Sequence, residues 1–190
     1  MKTILKKRIS AMLLLSLIAF GSCNSQAKEN KAAANSSKTE ITTDIHTAAY
    51  LGNLDEIKKH LKAGTDLNST EPMGGSTPLI SATVFGHNEV AIELIKAGAD
   101  VNVQNKEGST ALHSAAFFCR TEIVKALLQH GAKKDIINKG GSTAAQSVAD
   151  DFEKVKGIYD FFGTQLGTLG LQLDYDFIKN ERPIIAELLK

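Results

Sequence analysis

Two cysteines, three prolines and no tryptophan in 190 residues set the first limits on this chain. Two thiols are too few for the multi-bridge scaffold of a small secreted domain. There is no Cys-x-x-Cys pair, and none of the five histidines stands four residues from another, so the spacing that holds a metal ion is missing. Also absent are G-x-S-x-G, a Walker-type loop and the dinucleotide glycine pattern. The glycine-rich run "GTQLGTLG" at 163–170 follows no strand and has the wrong spacing for phosphate; it is expected to end the helix "DFEKVKGIYDFF" and bend the chain toward the last one. Charge of one sign is lacking too, with 22 basic residues facing 21 acidic ones. The one basic cluster lies within the first eight residues, which argues against a nucleic-acid partner.

That cluster, Lys2, Lys6, Lys7 and Arg8, precedes an uncharged stretch from Ile9 to Phe20 and the small residues Gly21 and Ser22. The order is that of a secretory signal, so residues 1–22 are read as a signal peptide. About 20 apolar residues are needed to span a bilayer as a helix, and this stretch falls short. Four of the 22 basic residues and no acidic ones lie in the signal, leaving 18 against 21 in the mature chain. From Asn24 the chain reads "NSQAKENKAAANSSKTE", without an aromatic residue or an apolar period. Residues 23–41 are therefore expected to form a tether of roughly 20–25 Å mean span.

The run "LIAFGSC" resembles the lipobox of bacterial lipoproteins, with Phe20 in place of the usual leucine. The resemblance implies lipidation of Cys23 and a membrane-anchored mature chain. Asn24 is not the aspartate that holds many such proteins at the inner membrane, which implies the periplasmic face of the outer membrane and leaves the cell surface open. Cys119 is then left without a partner in the chain.

The positive content of the sequence is repetition. Gly75, Gly108 and Gly141 are each followed by Ser-Thr at intervals of 33 residues. An earlier copy, "TDIHTAAYLGNLDEIKKHLKAGTDLN", matches "TPLISATVFGHNEVAIELIKAGADVN". Fixed self-similarity at this period is the signature of a stacked repeat architecture. In the second copy Thr77 and Pro78 start a first helix, with Leu79, Ala82 and Thr83 on one face, and Gly86 ends it. Asn88 starts a second helix, whose apolar face is Val90, Ile92, Leu94 and Ile95, and Gly98 closes it. "ADVNVQNKEG" then suits a β-turn finger.

These elements, "TDIH", "TPLI", "TALH", "GHNEV" and "AGADVN", resemble the ankyrin repeat from Thr43 to about Phe162. The resemblance implies an all-α solenoid of helix–turn–helix units at 43–74, 75–107, 108–140 and 141–170, with a partial helical cap at 171–190, the whole domain covering 42–190. It also implies structural roles for His46 and His113 between fingers, and for His87 after its glycine. His60 and His130 lie near the ends of second helices, where a basic group suits the helix dipole. No catalytic residue, metal or cofactor is expected. Asp150 and Asp151, as helical neighbours, point about 100° apart and do not face each other. Cys119 stands where Gly52 and Gly86 stand in the earlier units, beside Arg120.

In ankyrin arrays partners usually lie in the concave groove, against the finger tips and the exposed ends of the first helices. Alignment of the units puts Tyr50 and Leu51, Val84 and Phe85, Phe117 and Phe118, then Asp150 and Asp151 at those helix ends. Six apolar side chains followed by two acids mark a recognition stripe, half of them expected to pack between neighbouring helices. Met73, Lys106, Glu107 and Lys139 add the finger tips. The expected function is therefore binding of another protein by a monomeric, non-enzymatic envelope lipoprotein. A dedicated periplasmic inhibitor or immunity protein is the first alternative, and a small-molecule or metal-binding accessory protein the second.

Overall fold

The computed structural model describes residues 40–190; Cys23, the signal peptide and the tether as far as residue 39 lie outside the described residues. Among those described there are eight α-helices, one 3-10 turn and no strand. The first unit is α1 (Ile45–Tyr50) and α2 (Leu54–Ala63), the second α3 (Pro78–Phe85) and α4 (Asn88–Lys96), and the third α5 (Ala111–Phe117) and α6 (Thr121–Gln129). At six to ten residues, none is long enough to stand alone in water. They are held by stacking in two rows: α1, α3 and α5 pack in sequence, and so do α2, α4 and α6.

Local chemistry sets the boundaries. Thr77 Oγ1 accepts the Ile80 N–H at 3.2 Å, and Pro78 occupies the first helical position. Asp44 Oδ1 accepts the N–H groups of His46 and Thr47, each at 3.0 Å, and starts α1. Leu79, Ala82 and Thr83 are buried as expected. On α4 the buried face is Val90, Ala91, Leu94 and Ile95, with Ile92 only half covered. Ala91 rather than Ile92 completes that face, because it stands three and four residues before Leu94 and Ile95.

Between units the fingers join through backbone. The N–H of Lys106 donates to Gly74 O and that of Lys139 to Glu107 O, both at 2.9 Å. Asn68 Oδ1 accepts the Asp100 N–H at 2.8 Å, and Asn102 Oδ1 accepts the Lys133 N–H at 2.9 Å. The asparagine that closes each "DLN" or "DVN" is thus the clip to the next unit.

The fourth unit departs from the pattern. The place of its first helix is taken by a 3-10 turn, Gln146–Val148, packed on α5. Ser147 Oγ donates to Ala144 O at 2.6 Å, a local bond that competes with helix propagation. The place of the second helix is taken by α8 (Tyr175–Leu188), packed on α6, α5 and the 3-10 turn. Between them the chain makes α7 (Phe152–Gly167), which runs through Gly163 rather than stopping there. Phe152, Tyr159 and the half-buried Val155, Phe162 and Leu166 form its covered face, so burial carries the helix past residues of low helix propensity. In α8, Ile178, Arg182 and Ile185 turn inward, as does Leu189 just past its end, while Ile184 lies exposed.

Candidate protein-binding surface

Each finger leads into the N-terminal end of a first helix, so the two groups of candidate residues occupy opposite ends of the first-helix row. At the finger end, Met73 is 62 % exposed, and Lys106, Glu107 and Lys139 are exposed as well. Lys106 Nζ donates to the Pro72 carbonyl of the neighbouring finger. Glu71 is structural: burial acts to raise its pKa, but the N–H groups of Ser76, Met73 and Gly74 outweigh it and hold the carboxyl below its ordinary value.

The other end is where the apolar residues gather. Leu51 is 61 % exposed, whereas Tyr50, Val84, Phe85 and Phe117 are half-buried. The Tyr50 and Phe85 rings meet edge to face at 4.6 Å between centroids. Phe118, also expected on this surface, is only 5 % exposed. It ends α5 and packs edge to face on both Phe117 and Phe162. Consecutive residues leave a helix in different directions, so the pair Phe117–Phe118 divides between surface and interior. Asp150 and Asp151 are exposed at the start of α7, away from any shared carboxylate geometry; Asp151 lies 3.8 Å from Lys154 Nζ.

A second pattern runs along the same end. The last carbonyls of a helix have no partner within it, and here the next unit supplies one. His87 Nε2 donates to Tyr50 O at 2.8 Å, Arg120 Nη2 to Val84 O at 3.4 Å, and Tyr159 Oη to Phe117 O at 2.7 Å. A Cβ on Gly52 would lie 2.5 Å from His87 Nδ1, and one on Gly86 would lie 2.7 Å from Arg120 Cζ. A side chain at either position would press on the donor above it, and both glycines hold positive φ, 71° and 78°. Cys119, at φ +55°, is the third residue of the series; its donor comes from α7, and its thiol reaches toward Ile178 O at 3.7 Å. Burial pushes that thiol up to about 11, the opposite of an activated cysteine.

Tyr159, Phe162 and Arg182 were not singled out in the sequence, because they lie outside the 33-residue register. The Tyr159 ring stacks on Phe117 at 4.6 Å and 17°, and its oxygen accepts from Arg182 Nη1 at 2.7 Å. Arg182, 2 % exposed, also donates through Nη2 to Asp150 O at 2.7 Å. The only available sign was an arginine amid the apolar face of α8. α7 thus packs on the end of α5, and Tyr50 Oη donates to Leu169 O at 2.5 Å beyond the last turn of α7.

The histidines serve the fold. His113 Nε2 lies 3.1 Å from Ser142 O in the next finger, and Nδ1 lies 2.9 Å from Thr110 Oγ1. Burial lowers its pKa and favours the neutral ring. His46 Nε2 lies 3.2 Å from Ser69 Oγ. His60 is buried, not merely a charge at a helix end: its ring nitrogens lie 2.8 Å from Thr43 O and 3.1 Å from Thr65 Oγ1. His130 Nδ1 lies 2.8 Å from Ala126 O at the end of α6.

Comparison with known proteins gives the same architecture. Residues 45–138 match the family model described as "Ankyrin repeats (3 copies)". The human "DNA-binding protein RFXANK" is 41 % identical over 63 residues, covering 33 % of this chain and 24 % of that protein. The human "Ankyrin repeat and SAM domain-containing protein 3" is 36 % identical over 69 residues, 36 % of this chain and 10 % of its own length. A fission-yeast protein, "Ankyrin repeat-containing protein P1E11.10", is 32 % identical over 66 residues, 35 % of this chain and 31 % of its own. This chain therefore spans less than a third of each of these relatives. Residues 45–138 are three ankyrin repeats, and with the C-terminal helices they make an all-helical ankyrin-repeat solenoid.

Proposed function

We propose that this chain is a non-enzymatic lipoprotein, acylated at Cys23, that binds another protein in the bacterial envelope as a monomer. Ankyrin repeats imply a protein-interaction role. The observation that carries the reading is the row Tyr50, Val84, Phe85 and Phe117 at equivalent ends of three first helices, with Leu51 standing 61 % exposed beside it. Apolar and aromatic side chains gathered at one edge of a rigid scaffold suit recognition. The placement of the histidines and of Cys119 in structural bonds supports the non-enzymatic part. The signal-like N terminus and "LIAFGSC" support the anchor and an outer-membrane, periplasm-facing location.

The test is photo-crosslinking from position 51 in native envelopes, followed by purification of the product. Leu51→Ala with Phe85→Ala should lower the affinity for the captured partner at least tenfold, since well-packed hot-spot truncations cost about 2 kcal/mol or more each. Unchanged affinity of the folded double variant would place the partner elsewhere. Separately, Cys23→Ser should move the protein out of the membrane fraction; a mature chain without lipid on Cys23 would refute the anchor.

A further inference from the structure

We propose that His113 is an acid-sensitive catch between the third and fourth units, and that protonation of its ring frees the start of α5 together with residues 141–148. The proposal concerns the integrity of the stack and stands apart from the protein-binding reading. The Ser142 carbonyl can only accept, so the proton of the neutral ring sits on Nε2, 3.1 Å away. Nδ1 is then an acceptor. It takes the Thr110 N–H at 3.3 Å and lies 2.9 Å from Thr110 Oγ1. One neutral ring thus holds the residue that starts α5 and the finger that enters the next unit.

A second proton can go only to Nδ1. It turns the acceptor of the Thr110 N–H into a donor, and it charges a side chain that is 4 % exposed. Nothing nearby balances that charge. α3, α5 and the 3-10 turn contain no other ionisable residue. In the two finger segments, Lys106, Glu107, Lys133, Lys134, Asp135 and Lys139 are all exposed. On α6, Glu122 and Lys125 face solvent. α7 meets α5 at Phe117 and pairs its Lys156 with Asp160, while on α8 Glu181 is bonded to Thr121 and Arg182 to Tyr159. None of these charges acts on the ring. Burial lowers its pKa, and the Ser142 and Ile136 backbone, which acts to raise it, does not make up the difference.

The earlier units show what is particular here. The same position in the second unit is Ile80, buried and with no proton to gain. In the first it is His46, whose Nε2 meets the Ser69 hydroxyl at 3.2 Å, a group that accepts as well as donates. Asp44 and Glu71 both interact with a charge on that ring. A protonated His46 has carboxylates to answer it, and a protonated His113 has none. When the His113 ring swings to water to keep its proton, it gives up Ser142 O. The segment leading into the buried Ala144 and Val148, which pack the fourth unit on α5, then loses a tie to that helix.

The direction follows from the folded ring having a pKa below its ordinary 6.5. Its contribution to stability is complete above that value and is lost as the pH falls beneath it. The test is hydrogen exchange of the mature chain at pH 7 and pH 5, corrected for the intrinsic pH dependence of exchange. Protection in 110–116 and 141–148 should fall about tenfold, and that in 77–85 should stay within about twofold. His113→Ile, which carries the residue of the second unit, should show equal protection at both pH values. The imidazole nitrogen resonances of the natural chain give a measurement that needs no variant. They should show His113 neutral at pH 7 with its proton on Nε2, and the loss of protection should follow the titration of that ring below 6.5. Unchanged protection in 141–148, an equal loss in α3, or a loss that persists in His113→Ile would overturn the catch. So would a charged His113 at pH 7, or a loss of protection that does not track its titration. Both readouts need neither partner nor lipid.

Discussion

The Tyr159 hydroxyl donates to the Phe117 carbonyl at 2.7 Å and closes a series begun by His87 on Tyr50 and Arg120 on Val84. Three chemically different donors do one job, because the need is set by the unpaired carbonyl at the end of each first helix. Tyr159 is also an acceptor for Arg182. Tyr159→Phe leaves the part-buried Phe117 carbonyl and a buried guanidinium each short of a partner. The expected loss is about 1–3 kcal/mol, read as a drop of several degrees in a thermal melt.

Phe118 and Leu51 separate core from surface. Phe118→Ala removes a buried ring and should cost about 3–5 kcal/mol. Leu51→Ala should change stability by no more than about 0.5 kcal/mol. Denaturant titration of the two variants checks both. A mild effect at Phe118 would return it to the surface stripe.

Glu56 ties the start of the described chain to α2. Its carboxylate accepts from Lys59 Nζ at 2.8 Å, from the Thr43 N–H at 3.1 Å and from the Thr42 N–H. These bonds, the Lys59 contact foremost, hold its pKa at about 2 against an ordinary 4.5. A carboxyl lowered on folding stabilises above its unfolded value, and that contribution is lost as pH falls from about 4.5 toward 2. Glu56→Gln should flatten the pH dependence of the melting temperature across that interval and lower it at neutral pH.

Cys119 should be inert. With its thiol buried and its pKa pushed up to about 11, a thiol reagent at pH 8 should label it only at the rate of unfolding. Fast labelling of the native protein would overturn that placement.

The repeats were legible because their residues recur: Thr77 as a cap, Gly52 and Gly86 as turns, and Asn68 and Asn102 as clips hold the same places in successive units. What was hidden lies after residue 141, where one copy stands alone and nothing recurs. "GTQLGTLG" reads as a helix stop by propensity, yet the face formed by Phe152, Tyr159 and Phe162 carries the helix through Gly163. Alignment likewise placed Phe117 and Phe118 together on one stripe, with half of its members expected to pack between helices but none singled out. The direction in which each leaves the helix end depends on Phe162 and Tyr159, which lie more than 40 positions downstream, and no local pattern carries that information.

Removal of residues 174–190 should be severe, because α8 and its C-cap supply Ile178, Ile185 and Leu189 to the interior, and α8 supplies Arg182 to Tyr159. The truncated protein should melt at a markedly lower temperature and aggregate. Unchanged melting would show α8 to be dispensable.

The bond from Tyr50 to Leu169 joins positions 119 apart in sequence. In an open stack each unit touches only its neighbours, so the ends fray on their own and the array melts as a linear series of coupled blocks. The Tyr50–Leu169 bond adds one solvent-exposed tie between the tail and the first unit. A single hydrogen bond contributes about 1 kcal/mol, so loosening at either end should reach the other by no more than that. The same long closure should delay the final stage of folding, since the first unit's last contact waits until the tail is in place.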